Sequence, residues 1–169
     1  MFEPECGDWQ LGTFALVRMI ARECRLPIVA AGGIMDGQSI TAALQLGAAA
    51  VQLVTAFILS PESAANEAYR ATLKSERSRF TQITSVISGP PARGIINRMH
   101  TDVDRPTAPA LPDYPIAYDA GRALSMAAAA RGNHDFAVQW AGQGAPLARE
   151  LPAGEPIAVL VREWREASR

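Results

Sequence analysis

The sequence has 169 residues, 49% of them hydrophobic, enough for one globular core of ordinary size. Sixteen basic against seventeen acidic residues leave a formal charge of −1, which offers no electrostatic footprint for nucleic acid or an anionic membrane. No apolar run approaches the roughly 18 residues of a membrane span. The acidic start MFEPECGDWQ lacks the basic and apolar regions of a leader peptide. The two cysteines, Cys6 and Cys24, make neither a disulfide framework nor a metal-ligand spacing, which fits a reduced, cytoplasmic setting.

Thr13 to Cys24 carries Phe14, Val17, Ile20, Ala21 and Cys24 at three-and-four spacing, which predicts a helix with one apolar face, stopped by Pro27. Pro27 to Ile34 is an apolar run without alternation, the pattern of a parallel strand covered on both faces, and it ends in Gly32 and Gly33. Asp36 is placed to cap a second helix, with Ile40, Ala43 and Leu44 facing inward and Gly47 ending it. Ala48 to Leu59 is a second run of the same buried kind. Together these make a βαβ unit of about 30 residues.

Ser60 and Pro61 read as the start of a further helix running through Glu76, with Arg70 to Arg79 as its solvated end. Phe80 to Ile87 has modest strand character, and Ser88 to Gly94 (SGPPARG) reads as a turn or a ligand-facing loop. Thr101 to Pro115, rich in proline, has no periodicity. Ala117 to Arg131 is alanine-rich and helical, Phe136 to Trp140 reads as another turn or two of helix, and AGQG breaks it. Ile157, Leu160, Val161 and Trp164 have the spacing of a closing amphipathic helix.

Two adjacent glycines at a strand end remove two Cβ atoms, so a ligand can approach the main chain and its N–H groups. In α/β architectures ligands gather at the carboxyl ends of parallel strands, and in βα barrels a phosphate commonly sits beyond the last two strands. Gln52 to Thr55 lies one βα repeat after Gly33, so both strand ends should share a rim. There the Thr55 hydroxyl and adjacent amides can donate to an anion, and Gln52 can serve its organic part. Taken singly, the glycine pair is more often only a tight turn, and Gln52 and Thr55 are strand-end polar residues satisfied by backbone; it is their combination that points to an anion.

The stretch PIVAAGGIMDGQSITAALQLGAAAVQLVTAFILSPES resembles the phosphate-binding half of the flavin-dependent nitronate monooxygenases. SGPPARGIINRM resembles that family's Ser-Gly-Arg-Pro-Ala-Arg-Gly stretch, and YPIAYDAGRA with FAVQWAGQGAPLARELPA resembles its C-terminal helical region. The resemblance implies an α/β fold, the last βα units of a (β/α)8 TIM barrel with an additional, mostly helical C-terminal region. It implies FMN as cofactor, and oxidation of alkyl nitronates by O2 to carbonyl compounds and nitrite. Gly33 and the segment Gln52, Leu53, Val54 and Thr55 match positions that hold FMN in the family, with Gly32 beside them. Val54 stands where the family usually has glycine, a position that valine would strain if a positive φ were required. Pro90 replaces the family's loop arginine.

Residues 1–75 are then the barrel units, 76–116 a strand with a proline-rich connection, and 117–169 the helical region. The resemblance places the catalytic histidine of the family upstream of this sequence, so His100 and His134 are assigned surface or capping roles and no catalytic residue is named. Two parallel strands without neighbours expose an apolar edge. A partner chain, a homo-oligomer, or further sequence before Met1 would close it, and the last is the expectation. Another phosphate-binding FMN oxidoreductase and a non-catalytic remnant are the alternative readings.

Overall fold

A computed structural model describes residues 11–169; the expectations placed on the acidic start and on Cys6 lie outside the described residues. Packing divides the chain into two units, one formed by residues up to Leu53 together with Ala158–Arg169, the other by Val54–Ile157.

In the first unit, helix α1 (Thr13–Glu23) leads to strand β1 (Val29–Ala31), helix α2 (Gly37–Gln45) and strand β2 (Ala50–Gln52). β1 and β2 pair in parallel, Val29 opposite Ala50 and Ala31 opposite Gln52, so the expected βαβ unit is present. The strands are much shorter than the apolar runs that encode them. Ala30 is buried, whereas Val29 and Ala31 on the other face are exposed. The expectation of strands covered on both faces therefore fails among the described residues: α1 and α2 pack on this two-stranded sheet from the Ala30 side. For the same reason α1 buries only Val17 of its apolar stripe, and Phe14, Ile20 and Cys24 stay exposed.

α2 begins as its sequence indicates. Asp36 Oδ1 accepts from the Ser39 amide at 2.8 Å, and Ser39 Oγ accepts from the Asp36 amide at 3.2 Å, a reciprocal cap. Gly47 ends the turn with φ +108°, and a Cβ there would lie 2.7 Å from Ala21 Cβ. Helix α5 (Gly154–Ala167) crosses the start of α2 so closely that a Cβ on Gly37 would fall 2.2 Å from the Trp164 nitrogen. The Gly37 amide donates to Glu163 Oε2 at 3.1 Å, which sets a carboxylate against the positive end of α2.

The second unit opens with a short 3-10 turn, Thr55–Phe57, where sequence reasoning continued the strand to Leu59. The following helix, α3 (Glu67–Lys74), starts six residues later than Pro61, under an Asn66 side chain that accepts from the Tyr69 amide at 2.9 Å. Residues 61–66 are held outside the helix by Arg70, whose guanidinium donates to the carbonyls of Leu59, Ser60, Ser63 and Ala65 at 2.8 to 3.0 Å. Arg70 is thus half-buried, not part of a solvated helix end.

Strands β3 (Thr81–Thr84) and β4 (Ala92–Ile95) form an antiparallel hairpin, so the second half of SGPPARG is strand and only the residues before it turn. Of the segment expected to be helical at Phe136–Trp140, the start is a turn closed by the Ala137 amide on the His134 carbonyl at 3.1 Å, and Gln139 and Trp140 lie against β4 instead. Ile95 donates to the Gln139 carbonyl at 2.9 Å, Ala141 to the Arg93 carbonyl at 3.1 Å, and Gly94 bridges Trp140. Strand pairing here satisfies main-chain groups that a short helix beside two glycines would leave unpaired. Leu59, Leu73, Ile95, Ala141 and Ala145 pack into one core cluster; Val86, Ile87 and Met99 form a second. Helix α4 (Ile116–Ala129) buries only Ala117 and Gly121.

Candidate functional site

The parallel pair ends at Ala31 opposite Gln52, so Gly32 and Leu53 are the residues that leave the two strands at that end. Both glycines take positive φ, +112° at Gly32 and +72° at Gly33. Their surroundings differ. A Cβ on Gly32 would lie 2.8 Å from Thr13 Oγ1, the hydroxyl that donates to the Gly32 carbonyl at 2.9 Å, so α1 itself requires this glycine. Around Gly33 nothing lies within 4 Å of the Cβ position. Gly33 therefore owes its identity to the turn and leaves open, exposed space beside its main chain.

On the other strand, Gln52 is exposed and Leu53 half-buried. Val54 has φ −123° and ψ −60°, so the β-branched side chain sits at negative φ and is 66% exposed. The strain anticipated for valine in a glycine position does not arise. Thr55 is buried, and its Oγ1 accepts the Gly142 amide at 3.1 Å. That bond uses a lone pair and leaves the hydroxyl proton free to donate; among the described residues no acceptor is bonded to it.

Gly142 belongs to a loop fixed on both sides. Tyr69 Oη donates to the Trp140 carbonyl, and burial pushes the phenol up to about 12. Tyr69 was not singled out from the sequence; Gly142 is one of the two glycines flanking Gln143 in AGQG, a stretch whose glycines allow close approach.

The histidines divide. His134 is exposed, as expected. His100 is not a surface residue: it sits 5% exposed in a π-helical turn, Met99–Val103, with Nδ1 3.1 Å from Asn97 Oδ1 and no hydrogen-bond partner for Nε2 among the described residues. Burial holds its imidazole below the usual range, while main-chain Gln82 and the Asp104 charge pull the other way. The loop arginines have local partners. Arg93 donates to the Thr81 carbonyl at 3.0 Å, and Arg98 pairs with Asp102 and stacks 4.6 Å over the Phe136 ring. That Arg98 bond, followed by one from Thr101, holds the Asp102 carboxyl below its ordinary range. Among the described residues no His, Cys, Asp and Glu group could hold a metal ion, and no helix is long and apolar enough to cross a membrane.

The family model described as nitronate monooxygenase matches residues 3–163. A nitronate monooxygenase of Pseudomonas aeruginosa is 61% identical over 165 residues, 98% of this chain and 47% of that protein. One of Paraburkholderia phytofirmans is 50% identical, over 99% of this chain and 46% of its own length. Among solved structures, nitroalkane oxidase from Streptomyces ansochromogenes superposes with a TM-score of 0.85 at 39% identity, covering 93% of this chain and 44% of that one. The chain spans about half the length of the curated relatives it matches. With three separated sequence matches and an α/β fold carrying them, the chain belongs to the nitronate monooxygenase family.

Proposed function

We propose that this chain supplies the phosphate-binding part of an FMN-dependent enzyme of (β/α)8 architecture that oxidises alkyl nitronates with O2 to carbonyl compounds and nitrite. The Gly33 turn and the Gln52–Thr55 segment hold the cofactor in this reading. The observation that carries it is the Ala31–Gln52 register, by which both segments leave the same end of one parallel sheet. Support comes also from the P. aeruginosa relative, named a nitronate monooxygenase, at 61% identity.

The residues fit the group. Gly33 leaves its main chain open to an anion, the Val54 amide is free of a strained conformation, and Thr55 retains a hydroxyl proton to give. Gly32 contributes by holding the turn against Thr13, Leu53 by packing on the core of Val17, Ala30 and Ile34, and Gln52 by an exposed amide that can donate or accept near the flavin's organic part. Bound FMN would supply the electron-transfer and oxygen chemistry. The chain's own residues bind and orient it, and none of them is assigned proton transfer.

The test compares FMN with riboflavin, which lacks the phosphate, by quenching of flavin fluorescence on the 169-residue chain. FMN is expected to bind at least about tenfold more tightly, the worth of one hydrogen bond to a charged group. Equal affinities, or no binding of either, overturn the phosphate role. Nitrite release from an alkyl nitronate in the presence of O2, measured on the flavin-loaded protein, tests the reaction.

A further inference from the structure

The loop Trp140–Gly142 is held by three hydrogen bonds from different parts of the second unit. Tyr69 Oη donates to the Trp140 carbonyl, the Ala141 amide donates to the Arg93 carbonyl at 3.1 Å, and the Gly142 amide donates to Thr55 Oγ1 at 3.1 Å. The first two use the loop's own main chain to fix it on α3 and β4. The third is different, because it spends an amide on a side chain 87 residues away.

A threonine hydroxyl has one proton and two lone pairs. In many helical and turn settings the proton goes to a nearby main-chain carbonyl, as Thr41 Oγ1 does to Gly37 and Thr72 Oγ1 to Ala68, both at 2.9 Å. Thr55 behaves otherwise. Its oxygen accepts from Gly142, it is bonded to no acceptor among the described residues, and it is 9% exposed. A buried hydroxyl with an unmet donor is costly unless something accepts from it. Acceptance from an N–H also polarises the O–H bond and strengthens it as a donor.

We infer that the Gly142 amide is a positioning group that fixes the Thr55 hydroxyl to donate to an anionic oxygen of the bound cofactor. This rests on the proposed FMN reading and extends it to a loop outside the Gly33 and Gln52–Thr55 segments. The Gly142 bond takes one of the oxygen's two lone pairs and leaves the proton for an acceptor, such as a phosphate oxygen. Thr55 itself would touch the cofactor; Gly142 acts through Thr55.

The experiment measures FMN affinity by fluorescence quenching, and Gly142 amide exchange by NMR, in the wild-type chain, Thr55→Ser, Thr55→Val and Gly142→Pro. Circular dichroism checks that each variant is folded. Thr55→Ser is expected to bind FMN as wild type does, whereas Thr55→Val and Gly142→Pro weaken it by about tenfold to a hundredfold, with riboflavin affinity unchanged. Gly142 exchange should accelerate in Thr55→Val without ligand, and slow on FMN addition in wild type alone. If Gly142→Pro does not fold, the exchange data and the serine–valine pair decide. FMN binding that is undiminished in Thr55→Val, or Gly142 exchange indifferent to Thr55, overturns the inference and leaves the FMN reading standing. Absence of FMN binding to the wild-type chain overturns both.

Discussion

Arg70 Nη2 donates to the Ser60 carbonyl at 2.8 Å, and the same nitrogen reaches the Ser63 carbonyl at 2.9 Å. With Nη1 on Leu59 and Nε on Ala65, one guanidinium closes the whole connection between the Thr55–Phe57 turn and α3. Only a planar fork can serve four carbonyls at once; a lysine ammonium has three donors on one point. Arg70→Lys is therefore expected to lower stability by roughly 2 kcal/mol, and Arg70→Met by roughly 3 kcal/mol, because buried carbonyls are left unpaired. Urea unfolding midpoints of the two variants against wild type measure this. Equal stability of all three would mean that the clamp is dispensable.

The phenol of Tyr69 is the partner of the Trp140 carbonyl and titrates at about 12, raised by burial. Its neutral form is the one the fold prefers. The unfolded chain releases this proton near the ordinary tyrosine value of about 10, so the contribution to stability is complete below that pH and disappears as pH climbs towards 12. Thermal unfolding followed between neutral and strongly alkaline pH should show a decline that Tyr69→Phe flattens, from a starting stability lower by about 1 kcal/mol.

His100 gives the opposite pH window. Burial depresses its basicity, so the fold favours the neutral ring and the unfolded chain binds the proton first. Stability is complete above the ordinary histidine value of about 6.5 and falls as pH drops from there towards the lower value of the folded state. Asp104, whose Oδ2 accepts from Thr84 Oγ1 at 2.6 Å, limits the loss by favouring the imidazolium. Denaturation midpoints of wild type and His100→Asn across this range should diverge near neutrality and converge in acid. Parallel curves would remove His100 from the pH dependence.

The βαβ unit was legible because each of its signals is local: Asp36 ahead of an apolar face, Gly47 after it, and apolar runs on either side. Strand length was not legible. Ala48 to Leu59 is apolar except at Gln52 and Thr55, polar residues equally at home in a strand end, so the run does not announce the 3-10 turn at Thr55; the turn leads into a connection fixed by Arg70, a residue read as solvated. The end of the segment Phe136–Trp140 was misread for a related reason, since the pairing of Gln139 and Trp140 depends on β4, more than 40 residues earlier. Among the candidate site residues, the glycine pair announced its turn. The partner that occupies Thr55 was hidden, because a main-chain amide in a distant loop leaves no trace in residue identity.

The two adjacent glycines separate by substitution. Gly32→Ala meets both a φ of +112° and Thr13 Oγ1 at 2.8 Å, so it should disturb the fold before it disturbs any ligand. Gly33→Ala meets only the conformational cost of the left-handed region, about 1 to 2 kcal/mol, since nothing crowds its Cβ. Asparagine tolerates that region better than alanine does, so Gly33→Asn should recover most of the stability that Gly33→Ala loses. It should not recover FMN affinity if the open space beside Gly33 is where the phosphate lies, because a larger side chain fills that space. Urea unfolding and fluorescence titration of the three variants give both quantities. FMN affinity that follows stability across the series, with Gly33→Asn binding as wild type does, would reduce Gly33 to a turn residue.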